Sequence, residues 1–234
     1  MERVTTLRRT PSEEALTRLS LQAEACRACP LGFQRTQAVF GTGSAAADVM
    51  FVGEAPGVNE DSKGEPFVGA AGRLLTRLIE TKLGLNRPDV YIANVLKCRP
   101  PGNRDPLPEE VRACASFLKS QLEVVEPKVV VTLGNFASKL LLRTDTGITR
   151  LRGKRYPFGG ATLIPTFHPS AALRGSSAMN GITQDFEEIR RALDDLGTGQ
   201  GPPQADPGEP DEAQPQTVSR LGPADAAARQ LGLF

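Results

Sequence analysis

The sequence predicts an α/β fold, a central four-stranded, mainly parallel sheet with helices on both faces. Two observations predict it: four short apolar runs recur through the first 170 residues, and amphipathic stretches of helical length follow them. The runs are Val49 to Val52, Val90 to Val95, Val129 to Leu133 and Thr162 to Phe167. Each is rich in β-branched residues and too short for a buried helix. None alternates apolar with polar, so each reads as a strand covered on both sides. The helical stretches run from Ala70 to Leu83, Pro108 to Val124, Asn135 to Leu142 and Thr183 to Leu196. Pro165 lacks an N–H, which implies that the last strand lies at an edge or bends there.

In such sheets ligands bind in the crevice at the carboxyl ends of the strands. The segments leaving the four runs are Gly53 to Gly57, Asn94 with Lys97 and Cys98 close behind, Gly134-Asn135, and His168-Pro-Ser170. Most of the chemically unusual residues are thereby expected along one edge.

The 234 residues fit one domain over residues 1–196 and an appendage. The start of the chain has no apolar core of a signal peptide, and no apolar run is long enough to cross a bilayer, so a cytoplasmic protein is expected. The net charge of +1 hides an asymmetry: the last 38 residues hold five acids and two arginines, leaving 26 basic against 22 acidic residues before them. That excess permits nucleic-acid binding without arguing for it. From Gly197 to Pro223, eleven of 27 residues are Gly or Pro, too poor in apolar groups to offset the cost of ordering. Residues 197–225 are therefore expected to be a disordered linker, and the apolar character returns in residues 226–234.

All four cysteines fall in one pattern. Cys26 and Cys29 form a C-x-x-C pair, and Cys98 and Cys114 follow after 68 and then 15 intervening residues. In a reducing compartment two structural disulfides are disfavoured, whereas C-x-x-C spacing lets two thiolates face one metal centre. Spacing leaves zinc and an iron-sulfur cluster both open.

From Cys26 to about Leu196 the chain carries C-R-A-C-P-L, G-E-A-P-G-V-N-E-D, G-E-P-F-V-G-A-A-G-R-L-L, Y-I-A-N-V-L-K-C-R-P-P, N-R-D-P-L-P and F-H-P-S in order. In these motifs it resembles the family-4 uracil-DNA glycosylases of bacteria and archaea. The resemblance implies a three-layer α/β/α sandwich, a structural 4Fe-4S cluster on Cys26, Cys29, Cys98 and Cys114, and hydrolysis of the bond joining uracil to deoxyribose in base excision repair. An enzyme of this kind must flip the base out of the stack and read it by stacking and edge hydrogen bonds.

By that resemblance Phe67 is the stacking aromatic and Asn94 the base reader. An amide suits the role, because it accepts from uracil N3–H and donates to O4, while cytosine reverses both. Glu60 corresponds to the glutamate that excludes the thymine methyl; read alone, in Asn59-Glu60-Asp61, it is a solvated loop acid. His168, the sole histidine, matches the donor to uracil O2, and Glu54 matches the residue that positions or activates water. Ala55 stands where the better-known family-1 pattern has aspartate, so the backbone of Gly53 to Ala55 is expected to share the work. Phosphate contacts are expected from Ser170, Lys97, Arg174 and the amides near Gly57 and Gly69, with Leu173 and Arg174 as candidates for the space left by the flipped base.

Gln230, Leu231, Leu233 and Phe234 end the chain in a pattern similar to the bacterial sliding-clamp-binding peptide, Q-L-x-L-F. A plug on a flexible tether raises local concentration without fixing orientation. The rival reading is a non-catalytic uracil-DNA-binding module that keeps the cluster as a scaffold. Covalent trapping through an extra histidine is disfavoured, because His168 is already used, and a zinc-stabilised nucleotide hydrolase lacks its phosphate loop. A monomer is the default expectation.

Overall fold

The computed structural model describes residues 9–197. The four apolar runs become β2 (Val49–Gly53), β3 (Tyr91–Asn94), β4 (Val129–Leu133) and β6 (Ala161–Thr166). These four are parallel, and two short antiparallel strands, β1 (Thr42–Gly43) and β5 (Tyr156–Phe158), extend them to a six-stranded sheet of order β1-β3-β2-β4-β6-β5. Pro165 is not on an outer strand, but β5 pairs only as far as Leu163. At Pro165 the side facing away from β4 is free of a ladder, and its carbonyl accepts from Gly153 N–H instead (2.9 Å), so the missing proline donor costs nothing.

Alternation along the buried strands divides the core. Met50, Val52, Ala93, Val130 and Leu163 pack on one face with α1 (Pro11–Ala25), α5 (Pro108–Val125) and α6 (Asn135–Leu142). Val49, Phe51, Ile92, Val131 and Ile164 pack on the other with α4 (Ala70–Leu78) and α9 (Ser176–Gly197). The three-layer sandwich follows directly from strands that are apolar on both faces. Helix α4 continues through a π-turn, Ile79–Leu83, which completes the stretch expected from Ala70. Helix α1 is fixed by a capping box in which Thr10 and Glu13 exchange backbone bonds. Four short α-helices, α2 (Leu31–Gln34), α3 (Val58–Lys63), α7 (Ile148–Leu151) and α8 (Pro169–Ala172), and two 3-10 turns, Arg87–Asp89 and Pro101–Asn103, complete the described chain.

From β2 the chain moves to β3 on one side, and from β4 to β6 on the other, so the strand order switches between β2 and β4. The crevice at such a switch point is where an open sheet holds ligands. Among the described residues no helix is long and apolar enough to cross a membrane.

Candidate active site

A cleft of about 790 Å³ opens at this switch point, and the exits of all four parallel strands line it. Glu54 and Ala55 leave β2, Asn94 ends β3, Gly134 leaves β4, and His168 follows β6. Phe67 and Glu60 come from the β2–α4 connection, and Ser170 and Arg174 from α8 and the turn beyond it.

Gly53 sets the floor. A Cβ there would stand 2.3 Å from Asn94 Oδ1 and 2.7 Å from the Phe67 ring, so only glycine lets the amide and the aromatic meet over this strand end. Asn94 is 2% exposed, and its Oδ1 has no hydrogen-bond partner among the described residues. A buried acceptor left unpaired costs about 1–3 kcal/mol, so this one marks a place where a ligand N–H would bind.

Phe67 is held with φ at +52°, a left-handed conformation unusual for an aromatic residue. The segment after it is clamped by Glu60, whose Oε1 accepts from Val68 N–H and Gly69 N–H, both at 3.0 Å. Glu60 is thus only partly exposed and anchors the aromatic's loop while lining the cleft; two backbone donors draw it out of the solvated position read from its neighbours alone. Gly72 permits the tight return of the chain, since a Cβ there would strike the Phe67 carbonyl.

Across the cleft the His168 ring lies 5.6 Å from that of Phe67. Ser170 N–H donates to His168 Nδ1 (3.1 Å), and the Ser170 hydroxyl lies 2.8 Å from the same atom. Because Nδ1 accepts a backbone proton, the neutral ring carries its own proton on Nε2, free to donate. Burial, assisted by the Arg174 charge, pushes the histidine down to about 4 and keeps it neutral at physiological pH. Burial also pushes Glu54 up to about 6, with the Asp105 charge adding to the rise, so the carboxylate is basic but still ionised near pH 7.

One phosphate expectation changes. Lys97 is 1% exposed, and its ammonium donates to Asn94 O (2.6 Å) and Gln121 Oε1 (2.5 Å) beneath the cleft, so it cannot reach a DNA strand. Its side chain follows the buried exit of β3 inward. Ser170 spends its N–H and hydroxyl on His168 and orients that ring. Arg174 stands at the rim, and the exposed Leu173 (49%) directly precedes it in the chain.

The outer wall is a segment to which the sequence reading gave no role. Asn103, Arg104, Asp105 and Pro106 line it, inside the quoted N-R-D-P-L-P motif. Glu110, 2% exposed, pins this wall by accepting from Arg104 (2.5 and 2.9 Å) and from Leu107 N–H (2.9 Å). The motif itself was the available signal.

The four cysteines also converge. Cys26, Cys29, Cys98 and Cys114 line one hollow beside α1, the exit of β3 and α5. Donors aim at the sulfurs: Arg35 Nη1 lies 2.9 Å from Cys98 Sγ, and Lys97 N–H 3.2 Å from Cys114 Sγ. Burial pushes the Cys98 thiol up and the Cys114 thiol up to about 11, so a cation is needed to stabilise buried thiolates here. Among the described residues no three ligating side chains gather into a site for a metal ion. Four thiols around a shared hollow, with N–H donors on two sulfurs, make a donor set that fits an iron-sulfur group.

The comparisons agree with this geometry. The family model described as "Uracil DNA glycosylase superfamily" matches residues 40–197. A "Type-4 uracil-DNA glycosylase" from Thermotoga maritima is 47% identical over 76% of this chain and 94% of its own length. The chain is a type-4 member of the uracil-DNA glycosylase superfamily. Similar type-4 glycosylases from Archaeoglobus fulgidus (45% identity; 75% of this chain, 92% of the relative) and Sulfurisphaera tokodaii (43%; 76% and 84%) match comparable lengths. The matched segment of this glycosylase contains the whole cleft, whereas Cys26 and Cys29 precede the region of the family model. The linker of residues 197–225 and the terminal Gln230, Leu231, Leu233 and Phe234 lie outside the described residues, apart from Gly197 at the end of α9.

Proposed function

We propose that this chain is a monofunctional uracil-DNA glycosylase that flips uracil from DNA and hydrolyses its N-glycosidic bond, leaving an abasic site. The observation that carries the substrate choice is the unpartnered, buried Asn94 Oδ1 between Phe67 and the His168 wall. It would accept from uracil N3–H while the amide nitrogen donates to O4; cytosine presents a lone pair at N3 and leaves the acceptor unpaired. Phe67 stacks on the base, and Glu60 occupies the cleft side where the thymine methyl would enter.

As the C1′–N1 bond breaks, its electron pair passes to the base and collects on O2, where His168 Nε2–H donates. Water adds to C1′ and gives its proton to Glu54, with the backbone of Gly53 to Ala55 helping to place it. Leu173 and Arg174 fill the space in the stack. Cys26, Cys29, Cys98 and Cys114 would hold a 4Fe-4S cluster, which when bound cross-links the end of α1, the exit of β3 and α5. The tail from Gln230 to Phe234 serves as a sliding-clamp-binding peptide, and truncation after Ala228 removes clamp co-elution but leaves base release intact; equal binding without the tail refutes that role.

Labelled oligonucleotides with one uracil opposite guanine, opposite adenine or in a single strand, and thymine controls, test the reaction. Alkali-sensitive breaks are expected only at uracil. Protein with intact visible cluster absorbance and no breaks would overturn the catalytic reading.

A further inference from the structure

Lys97 presents a problem that base excision alone does not explain. Burying an ammonium is costly, and an apolar residue of similar volume usually serves stability as well or better. Here the cation is 1% exposed and placed between two sites. Its ammonium donates to the carbonyl of Asn94 (2.6 Å) and to Gln121 Oε1 (2.5 Å), with the Phe40 ring 5.8 Å away. Gln121 is itself fixed, because its Nε2 donates to Phe40 O (2.8 Å) and Tyr91 Oη (3.0 Å).

At the other end of the same residue, the peptide N–H of Lys97 donates to Cys114 Sγ, and Cys98 follows in the chain. One residue therefore grips the backbone of the base reader and a sulfur of the cysteine site. The intervening strand exit is tied to the cleft floor as well, through Val95 N–H to Gly53 O (2.9 Å) and Leu96 N–H to Glu54 O (3.0 Å). Only three residues, all buried, separate Asn94 from Cys98, so a displacement of Cys98 or Cys114 is carried through few atoms to Asn94.

We propose that Lys97 is a positioning residue that couples the state of the four-cysteine site to the base reader Asn94. It holds the Asn94 carbonyl so that Oδ1 faces the cleft, and it takes its own position from the cysteine site. The coupling rests on the iron-sulfur reading given above, whereas the hold on Asn94 does not.

The test uses the full-length, cluster-loaded protein and Lys97→Met, which retains the bulk and removes the donor. Free uracil is titrated while the Asn94 side-chain amide is followed by NMR, assigned through its loss in Asn94→Ala. Lys97→Met is expected to keep its visible absorbance, shift the amide signal and weaken uracil binding roughly ten- to 100-fold. Gln121→Leu, which frees the ammonium from its second anchor, moves the same signal in the same direction by less and serves if Lys97→Met does not fold. Stripping iron from the wild type moves the signal too, and stripping it from Lys97→Met adds nothing further.

An unmoved Asn94 signal with unchanged uracil affinity in both variants overturns the proposal. So does a stripped wild type whose amide signal stays in place. Visible absorbance and uracil release by the untreated wild type are read separately, so failure of the iron-sulfur or glycosylase reading is not confused with failure of the coupling.

Discussion

The two walls of the cleft are prepared in opposite ways. On the β2–β3 side, Asn94 keeps a buried oxygen without a partner among the described residues. On the β4–β6 side, His168 has Nδ1 filled by Ser170, which leaves a single proton on Nε2. The first wall tolerates a vacancy of hydrogen bonding that only a suitable ligand fills; the second has its donor set in advance. Selectivity suits the first, because a wrong base leaves the penalty in place. Stabilisation of developing charge suits the second, because no group has to reorganise during the reaction.

The largest effect should come from the acid-base group on the first wall. Glu54→Gln is expected to lower kcat by about 10²–10⁴-fold. Wild-type activity should fall as pH drops through about 6, where the raised carboxyl takes up its proton, and this acidic limb should vanish in the variant. Single-turnover rates from pH 5 to 8 check both, and a limb that survives the substitution would assign it to another group.

Truncating each wall separately sharpens the comparison. His168→Ala should lower kcat by about 10²–10³-fold with little change in uracil affinity. Asn94→Ala should lose roughly tenfold to 100-fold in kcat/KM and weaken discrimination between uracil and cytosine. Matched kinetics on the two bases would break the division of labour if both variants lost affinity and rate in equal measure.

These expectations rest on residues that were legible to different degrees. The four parallel strands could be read because they are buried on both faces, which produces unbroken apolar runs. Strands β1 and β5 could not, being two and three residues long and paired on one side only. Gly53, Glu54, Asn94 and His168 lie at or just beyond strand ends, which collect at one edge, whereas Phe67 sits in the β2–α4 connection and was legible only through its motif; Glu54, Asn94, Phe67 and His168 line one cleft, with Gly53 packed against Asn94 and Phe67. Lys97 was misplaced since a lysine in a sequence carries no sign of the direction of its side chain, and the carbonyl and amide that receive it come from elsewhere in the fold. The Asn103–Pro106 wall has no periodic pattern to announce it. Asp185 was equally hidden, one acid within an amphipathic helix.

That aspartate supports the second wall as Lys97 supports the first. It is 1% exposed, accepts from Thr166 Oγ1 (2.6 Å) just before His168, and pairs with Arg152 (2.9 Å). Asp185→Asn should leave the Arg152 guanidinium without its counter-charge and cost about 3 kcal/mol of stability, near the lower end for a broken buried pair. The displaced β6 exit should also lower kcat by about tenfold while uracil affinity stays near wild type. A variant that is destabilised yet turns over at the wild-type rate would confine Asp185 to the fold.

The smallest effect pits the walls against each other in pH-dependent stability. Burial raises Glu54 from 4.5 to about 6 and lowers His168 from 6.5 to about 4. Between about pH 6 and 4.5 the native Glu54 binds a proton that the unfolded chain still lacks, so acidification favours the native state. Between about pH 6.5 and 4 the unfolded His168 binds a proton that the native ring refuses, so acidification there favours unfolding. The two contributions oppose each other and partly cancel in the wild type. Measured by urea midpoints relative to wild type, Glu54→Gln should lose stability and His168→Asn should gain it as pH falls from 6 to 4.5, each by at most about 1.4 kcal/mol per pH unit. Diverging lines would show that one buried cleft shifts both groups, in opposite directions because one is charged when deprotonated and the other when protonated; parallel lines would mean that at least one of them meets water freely.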